Sequence, residues 1–288
     1  MEYNIIEADN KIILKDIKDF DPQHIFECGQ AFRWKVEEDN SYTTIAYGKR
    51  LNVKKEKDDI ILSDTNREDF DNIWYHYFDL ERDYGKIKKE LSKDPTLKEA
   101  TEFGGGIRIL NQEPFEMVIS FIISANNQIP RIKKSIELIA QEYGEKNLGY
   151  YSFPTPDQLS KAKVEDLREL AKVGFRDKRI VETSKMILNG DVDLNKIFEM
   201  TRDEGKEELM LLPGVGPKVS DCILLFAFDK DEAFPVDVWV KRVMEHFYLK
   251  EETNVKTIGD HGARLFGDLA GFAQQYLFYY ARELGIGK

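Results

Sequence analysis

A lysine just past a glycine-rich turn is the residue of this chain best placed to do chemistry. In Leu211-Leu212-Pro213-Gly214-Val215-Gly216-Pro217-Lys218, one helical pattern (Lys206 to Leu212) ends and Pro217 opens another. Gly214 and Gly216 permit a tight turn at positive φ with no Cβ in the way. Backbone N–H groups bared at such a turn, beside a helix N-terminus, hold a phosphate without basic side chains. Lys218 lies near the positive end of the second helix dipole, which disfavours its ammonium, so a lowered pKa is expected. A lysine of that kind is a nucleophile; an ordinary one is a solvated cation. Cys222, four residues on, shares the helix face of Lys218, and Val219, Ile223 and Phe226 make the adjoining apolar stripe. A small buried hydrophobe is the commoner fate of such a cysteine. Asp237 follows a proline in the apolar stretch Phe234-Pro235-Val236-Asp237-Val238-Trp239, where a carboxylate must be paired or cap a helix. Taken alone, the turn also suits a plain helix–helix hairpin.

The elements that must position these residues divide near residue 100. Residues 1–100 read as a β-rich domain, an antiparallel meander of short strands: Ile12 to Leu14, Ala31 to Val36, Tyr42 to Tyr47 and Asp59 to Leu62. Glu37 to Asn40 and the charged stretch Lys54 to Asp58 read as turns. A helical stretch from about Arg67 to Leu91 follows, with Phe70, Ile73, Trp74, Tyr77 and Phe78 at helical spacing. Residues 101–288 read as almost all helix, with the hairpin at about 203–228. Pro114 opens a helix apolar on every side, so that helix is expected to be buried all round. Thr155 and Gln158 form a capping box around Pro156, and Gly190 ends a later helix. The fold class expected is α+β, an N-terminal antiparallel sheet domain packed on a larger helical domain.

Composition narrows the function. Of 288 residues, 42% are apolar and 33% charged, a globular balance. The longest apolar run, Met117 to Ile123, is broken by Ser120 and falls short of a membrane span. Met1-Glu2-Tyr3-Asn4 lacks a secretory pattern, so a cytoplasmic monomer, nucleoid-associated if bacterial, is expected. Two cysteines, Cys28 and Cys222, cannot make a four-cysteine zinc or iron–sulfur site, and the four histidines are scattered. The net charge of −11 speaks against a nucleic-acid partner. Helix N-termini and the clusters Arg131-Ile132-Lys133-Lys134, Arg176-Asp177-Lys178-Arg179 and Lys241-Arg242 answer that objection locally, although each could equally be a solvated helix face.

The run Leu-Pro-Gly-Val-Gly-Pro-Lys-Val-Ser-Asp-Cys, followed by Pro-Val-Asp, resembles the helix-hairpin-helix superfamily of DNA glycosylases, and within it the 8-oxoguanine DNA glycosylase branch. Gly29-Gln30-Ala31-Phe32-Arg33-Trp34, Ser124-Ala125-Asn126-Asn127-Gln128-Ile129 and Gly271-Phe272-Ala273-Gln274 through Phe278 resemble the same branch, in the same order, from about residue 25 to about 280. The resemblance implies a bifunctional glycosylase/lyase acting on double-stranded DNA that contains 8-oxoguanine. Lys218 would attack the sugar C1′ and form a Schiff base, and Asp237 would assist base loss. Gly29 would offer its carbonyl to the N7–H that oxidised guanine has and guanine lacks. Cys222 and Phe278 would sandwich the flipped base and Gln274 would bond its edge. Asn126 would fill the vacated space, Phe175 would wedge beside the opposite base, and Arg131 with Arg176 would read that base as cytosine. Gly214 and Gly216 would lie against phosphate. The resemblance implies no organic cofactor, but a structural cation held by the backbone carbonyls of Met210, Leu212 and Val215. Gln128 and Trp239 stand where the animal enzymes carry Asn and His, which bears on the grip on the opposite base and the 5′ phosphate and suggests a bacterial-type or archaeal-like member.

Two other readings stay open. A related glycosylase for adenine mispairs or oxidised pyrimidines would commonly hold an iron–sulfur cluster on four cysteines, and monofunctional relatives lack the lysine. A non-catalytic DNA-binding module gives no reason for Lys218, Asp237 and Gly29 to occur together.

Overall fold

The computed structural model describes residues 3–286, so Met1 and Glu2 of the N-terminal reading fall outside it. Six antiparallel strands form one sheet: β1 (Asn4–Ala8), β2 (Lys11–Lys15), β3 (Trp34–Val36), β4 (Tyr42–Ala46), β5 (Lys49–Glu56) and β6 (Asp59–Ser63), in the order β1-β2-β6-β5-β4-β3. Alternate residues point inward: Ile12 and Leu14, Leu51 and Val53, Ile60 and Leu62 are wholly buried, as the period of two requires. The Glu37 to Asn40 turn is present, with Asn40 at φ 61°.

The N-terminal region differs from the sequence reading: strand β1 and residues 49–53 of β5 were not foreseen, and three further stretches depart from it. Lys54 to Glu56 belong to β5, and the turn shrinks to Lys57 and Asp58. Charge does not forbid a strand there because each charge at this end of β5 reaches solvent and is answered: Lys54 pairs with Asp39 and Glu56, and Lys55 with Asp21. Ala31 to Arg33 lie outside the strand that begins at Trp34, although the Arg33 carbonyl still accepts from Ile45 N–H of β4 and its side chain reaches the Tyr151 carbonyl and Glu137. The helical stretch from Arg67 stops at Tyr77. A left-handed residue, Asp79 (φ 50°), breaks it, and Asp83 caps a fresh helix from Tyr84 to Leu91.

Among the helices, α1 (Pro22–Glu27) lies between strands β2 and β3 in sequence. Those that build the rest of the site are α2 (Pro114–Ser124), α3 (Ile129–Tyr143), α4 (Asp177–Asn189), α5 (Arg202–Leu209), α6 (Pro217–Ala227), α7 (Val238–Met244) and α8 (Ala270–Leu284). Helix α2 is buried from Phe115 to Ile123 on every side. The Thr155–Gln158 capping box forms, and Gly190 ends α4 in the left-handed conformation.

The sheet and the helices are tied by a buried extended segment, residues 107–112. Arg108 donates to the carbonyls of Asp19 (2.9 Å) and Asp79 (2.7 Å), and the wholly buried Gln30 side chain bonds Ile25 O, Arg108 O and Leu110 N. Arg82 adds a link, reaching Asp79 on the sheet side and Asp231 on the helical side.

Helix α8 enters through a tight seat. A Cβ on Gly271 would lie 2.3 Å from Leu225 Cδ1 and 2.8 Å from the Asp231 carbonyl. Gly271→Ala is therefore expected to destabilise the protein by about 1–3 kcal/mol, the usual scale of overpacking, seen as a lower urea midpoint at constant m. An unchanged midpoint would show that the seat yields freely.

Candidate active site

The hairpin forms as α5, the turn 210–216 and α6. Thr201 and Glu204 cap α5 reciprocally, a box that the sequence reading passed over. Gly214 takes φ +91°, and a Cβ there would stand 2.8 Å from Arg179 Cδ, so this glycine is required by both backbone and space. Gly216 departs from the expectation: its backbone is extended (φ −102°, ψ −179°), and a Cβ would meet nothing within 4 Å. The space above Gly216 is open, next to the first N–H groups of α6.

Pro217 and Lys218 open α6, and one turn later the Cys222 thiol faces the Lys218 amine. The lysine amine stands 5.6 Å from the centre of the Phe121 ring and keeps part of its surface open to a cavity. Asp237 is the N-cap of α7. Its Oδ1 accepts from the N–H groups of Trp239 (2.9 Å) and Val240 (2.8 Å), so the carboxylate is both capping and held beside the lysine.

The charges of this pair decide their states. Burial lowers the Lys218 pKa, but negative charge on Cys222 and Asp237 opposes it and the balance lies above the ordinary lysine value. Burial pushes the Cys222 thiol up, so near neutral pH it is uncharged and Asp237 is the anion that holds the ammonium. Asp237 is itself raised by burial, against the Val240 N–H, Lys218 and the Trp239 N–H. The lowered lysine pKa expected from the helix terminus is thus overturned: the facing Cys222 and then the buried Asp237 carboxylate together outweigh burial and a partial dipole charge.

A cavity of about 840 Å³ joins these groups to the other candidates. Gly29 from the end of α1, Cys222 from α6, and Gln274 and Phe278 from α8 line it together with Lys218 and Asp237. Gly29 sits at φ +84°, where a Cβ would fall 2.9 Å from Phe278 Cε1; only glycine fits against that ring. The Gln274 Oε1 is buried without a hydrogen-bond partner, a free acceptor on the cavity wall. Asn126, at φ 51°, is exposed on the rim. Phe175 is 57% exposed.

The two arginines differ. Arg131 is exposed on the first turn of α3. Arg176 is buried, packs against the Phe175 ring (4.3 Å) and donates to the carbonyls of Ala125 and Asn126, so it fastens the asparagine loop to the Phe175 turn. It does not pair with Asp177, whose carboxylate accepts from Arg168. Met210, Leu212 and Val215 fall in the hairpin turn; the Leu212 carbonyl already accepts from Val215 N–H (3.1 Å) and retains a second lone pair.

Trp239, noted in the sequence as a departure, also lines the cavity, as do Phe32, Phe121, Gln275 and Arg282, for which the sequence reading gave no site role. Phe121 could not have been distinguished within an all-apolar helix. Gln275 and Arg282 carried a signal, polar side chains in a buried helical stretch. A second cavity of about 800 Å³, between the sheet and α3, holds none of the candidate residues.

The chain is similar to known proteins over nearly its whole length. Residues 12–118 match the family model of the 8-oxoguanine DNA glycosylase N-terminal domain, and residues 119–262 that of the HhH-GPD superfamily base excision DNA repair proteins. It is 36% identical to a probable N-glycosylase/DNA lyase of Methanothermobacter thermautotrophicus, over 77% of each chain. Identity to the N-glycosylase/DNA lyase of Saccharomyces cerevisiae is 30%, over 91% of this chain and 83% of that one. The structure superposes with a TM-score of 0.97 on the Clostridium acetobutylicum 8-oxoguanine glycosylase/lyase in complex with double-stranded DNA containing cytosine opposite 8-oxoguanine, at 47% identity, covering 99% of this chain and 100% of that one. Among the described residues, no helix is long and apolar enough to cross a membrane.

Proposed function

This chain belongs to the HhH-GPD superfamily of base excision DNA repair proteins and carries the 8-oxoguanine DNA glycosylase N-terminal domain, and from that premise we propose that it excises 8-oxoguanine from duplex DNA and then cleaves the strand, with Lys218 as the attacking amine. The observation that carries the reading is convergence. Lys218, Asp237, Gly29, Cys222, Gln274 and Phe278, which come from four separate parts of the chain, line a single cavity.

An enzyme acting on a paired base must flip it out, at a cost of a few kcal/mol. Asn126 fills the vacancy, Phe175 wedges beside the opposite base, and the open backbone at Gly216, with the Gly214 turn behind it, takes phosphate. The flipped base stacks between Cys222 and Phe278, Gln274 bonds its edge, and the Gly29 carbonyl accepts N7–H. The neutral Lys218 amine attacks C1′, the glycosidic bond breaks, and the base leaves with the electron pair. The Asp237 carboxylate stabilises the positive charge that develops on the sugar. Cleavage of the C1′–O4′ bond gives a protonated imine between Lys218 and C1′; loss of the acidified C2′ proton to a base then forms the C2′–C3′ double bond and expels the 3′ phosphate. A cation bound at the hairpin would be held by the carbonyls of Met210, Leu212 and Val215 and would steady the turn; no step passes through it. The working compartment is the cytoplasm, on the chromosomal DNA.

The test is incubation with a duplex bearing one 8-oxoguanine, with borohydride present. A covalent protein–DNA complex is expected, and its absence overturns the reading. Run opposite C, T, G and A, the same assay tests base reading. Arginine donates only, so Arg131 and Arg176 suit the O2 and N3 acceptors of cytosine. Arg176 must first release the Ala125 and Asn126 carbonyls, which couples reading to movement of the asparagine loop. Excision opposite C is expected to be fastest by about ten-fold, as one good guanidinium contact provides, and Arg131→Met should narrow the gap. Equal rates opposite all four bases would leave both arginines as backbone anchors.

A further inference from the structure

Helix α8 does more than supply Gln274 and Phe278. Gln275 and Arg282, seven residues apart and therefore on one helix face, both reach back to the end of α1. Gln275 Nε2 donates to the Cys28 carbonyl (2.7 Å), and Arg282 Nη2 donates to the Glu27 carbonyl. The Arg282 guanidinium also lies 5.2 Å from the centre of the Phe278 ring. These carbonyls belong to the last turn of α1, where the helix itself offers no donor.

The next carbonyl in the chain is that of Gly29. Its neighbours are all engaged. Ile25 O accepts from Cys28 Sγ and Gln30 Nε2, Glu27 O from Arg282, Cys28 O from Gln275, and Gln30 O from Gln112 Nε2. Among the described residues, no hydrogen bond reaches the Gly29 carbonyl itself. A glycine at φ +84° turns its peptide easily. Hydrogen bonds weaken steeply once misaligned, so a free peptide here would read N7–H poorly and would also fail to repel the bare N7 of guanine. Something must hold the peptide still, and among the described residues the side chains that grip the two preceding carbonyls come from α8.

We propose that Gln275 and Arg282 form a clamp that fixes the Gly29 carbonyl in the base cavity, which makes both residues determinants of selectivity for 8-oxoguanine over guanine. The proposal rests on the reading that Gly29 accepts N7–H. The two are positioning residues: they touch the loop and the Phe278 ring, and the chemistry stays with Lys218 and Asp237.

The test compares the intact protein with Gln275→Leu, Arg282→Met, the double variant, and Arg282→Lys. Three quantities are measured: single-turnover excision of 8-oxoguanine opposite cytosine, single-turnover cleavage at a preformed abasic site, and the ratio of affinities for damaged and undamaged duplex. The abasic site has no base to read, so its cleavage reports on folding and on Lys218. In the double variant, 8-oxoguanine excision is expected to fall about 30-fold and the affinity ratio about ten-fold, the scale of one lost buried contact, with abasic cleavage within about three-fold. Arg282→Lys keeps a donor and should recover most of the loss. An unchanged affinity ratio, or excision and abasic cleavage falling together, overturns the clamp. Failure of the intact protein to prefer 8-oxoguanine would overturn the substrate reading itself, and the clamp's role with it.

Discussion

Lys218→Gln is expected to abolish borohydride trapping and to lower strand cleavage by on the order of 10⁴–10⁶-fold, the range seen when a nucleophile is deleted from other covalent enzymes. An amide cannot form an imine with C1′, and no other amine is placed at this cavity: the lining contributes Lys218 and Arg282 as its basic side chains among the described residues. DNA binding should survive, because phosphate contacts are spread over the hairpin and the rim and do not pass through this side chain. The intact protein should also show excision rising with pH through neutrality. Lys218 is held above the usual lysine value, so the reactive free amine is a minor species there and each unit of pH enlarges it about ten-fold. The check is single-turnover excision and trapping across pH 6–9. Trapping by Lys218→Gln at the native level would move the nucleophile elsewhere in the chain.

Much of this site was legible in the sequence, for a reason that can be stated residue by residue. Pro217, Gly214 and Thr155 act through backbone rules that hold wherever the chain goes, so turns and caps could be placed without knowing the fold. Asp237 in an apolar stretch announced that it must cap or pair, and it caps α7 while its charge acts on Lys218 through space. What resisted reading was anything set by a distant partner. The Lys218 pKa depends on the facing Cys222 and on a carboxylate nineteen positions away in sequence, and the local helix dipole gave the wrong sign. Gly216 looked like Gly214 but needs no positive φ. The strand at Lys54 to Glu56 depended on Asp39 and Asp21 lying beside it, and the break at Asp79 on a buried network with Tyr84, Arg82 and Arg108. Gln275 and Arg282 bond carbonyls 247 and 255 residues away, which no local spacing could disclose.

Asp237→Asn separates the two duties of the carboxylate. Asparagine is as good an N-cap as aspartate, and its Oδ1 can still accept from Trp239 and Val240, so folding should change by less than about 1 kcal/mol. The negative charge is gone, however, and its value grows as the sugar becomes cationic. Excision should therefore fall by on the order of 10²–10³-fold while affinity for the damaged duplex stays close to native. The same change removes the anion that holds Lys218 protonated. The ascending limb of the residual rate should consequently move to lower pH, the opposite of what simple damage to the site would produce. Asp237→Ala loses cap and charge together, so it should match Asn in rate and fall a further ~1 kcal/mol in stability. If Asp237→Asn keeps its single-turnover rate and only Asp237→Ala suffers, through stability alone, then the carboxylate is a cap for α7 and the charge on the sugar is met by another group.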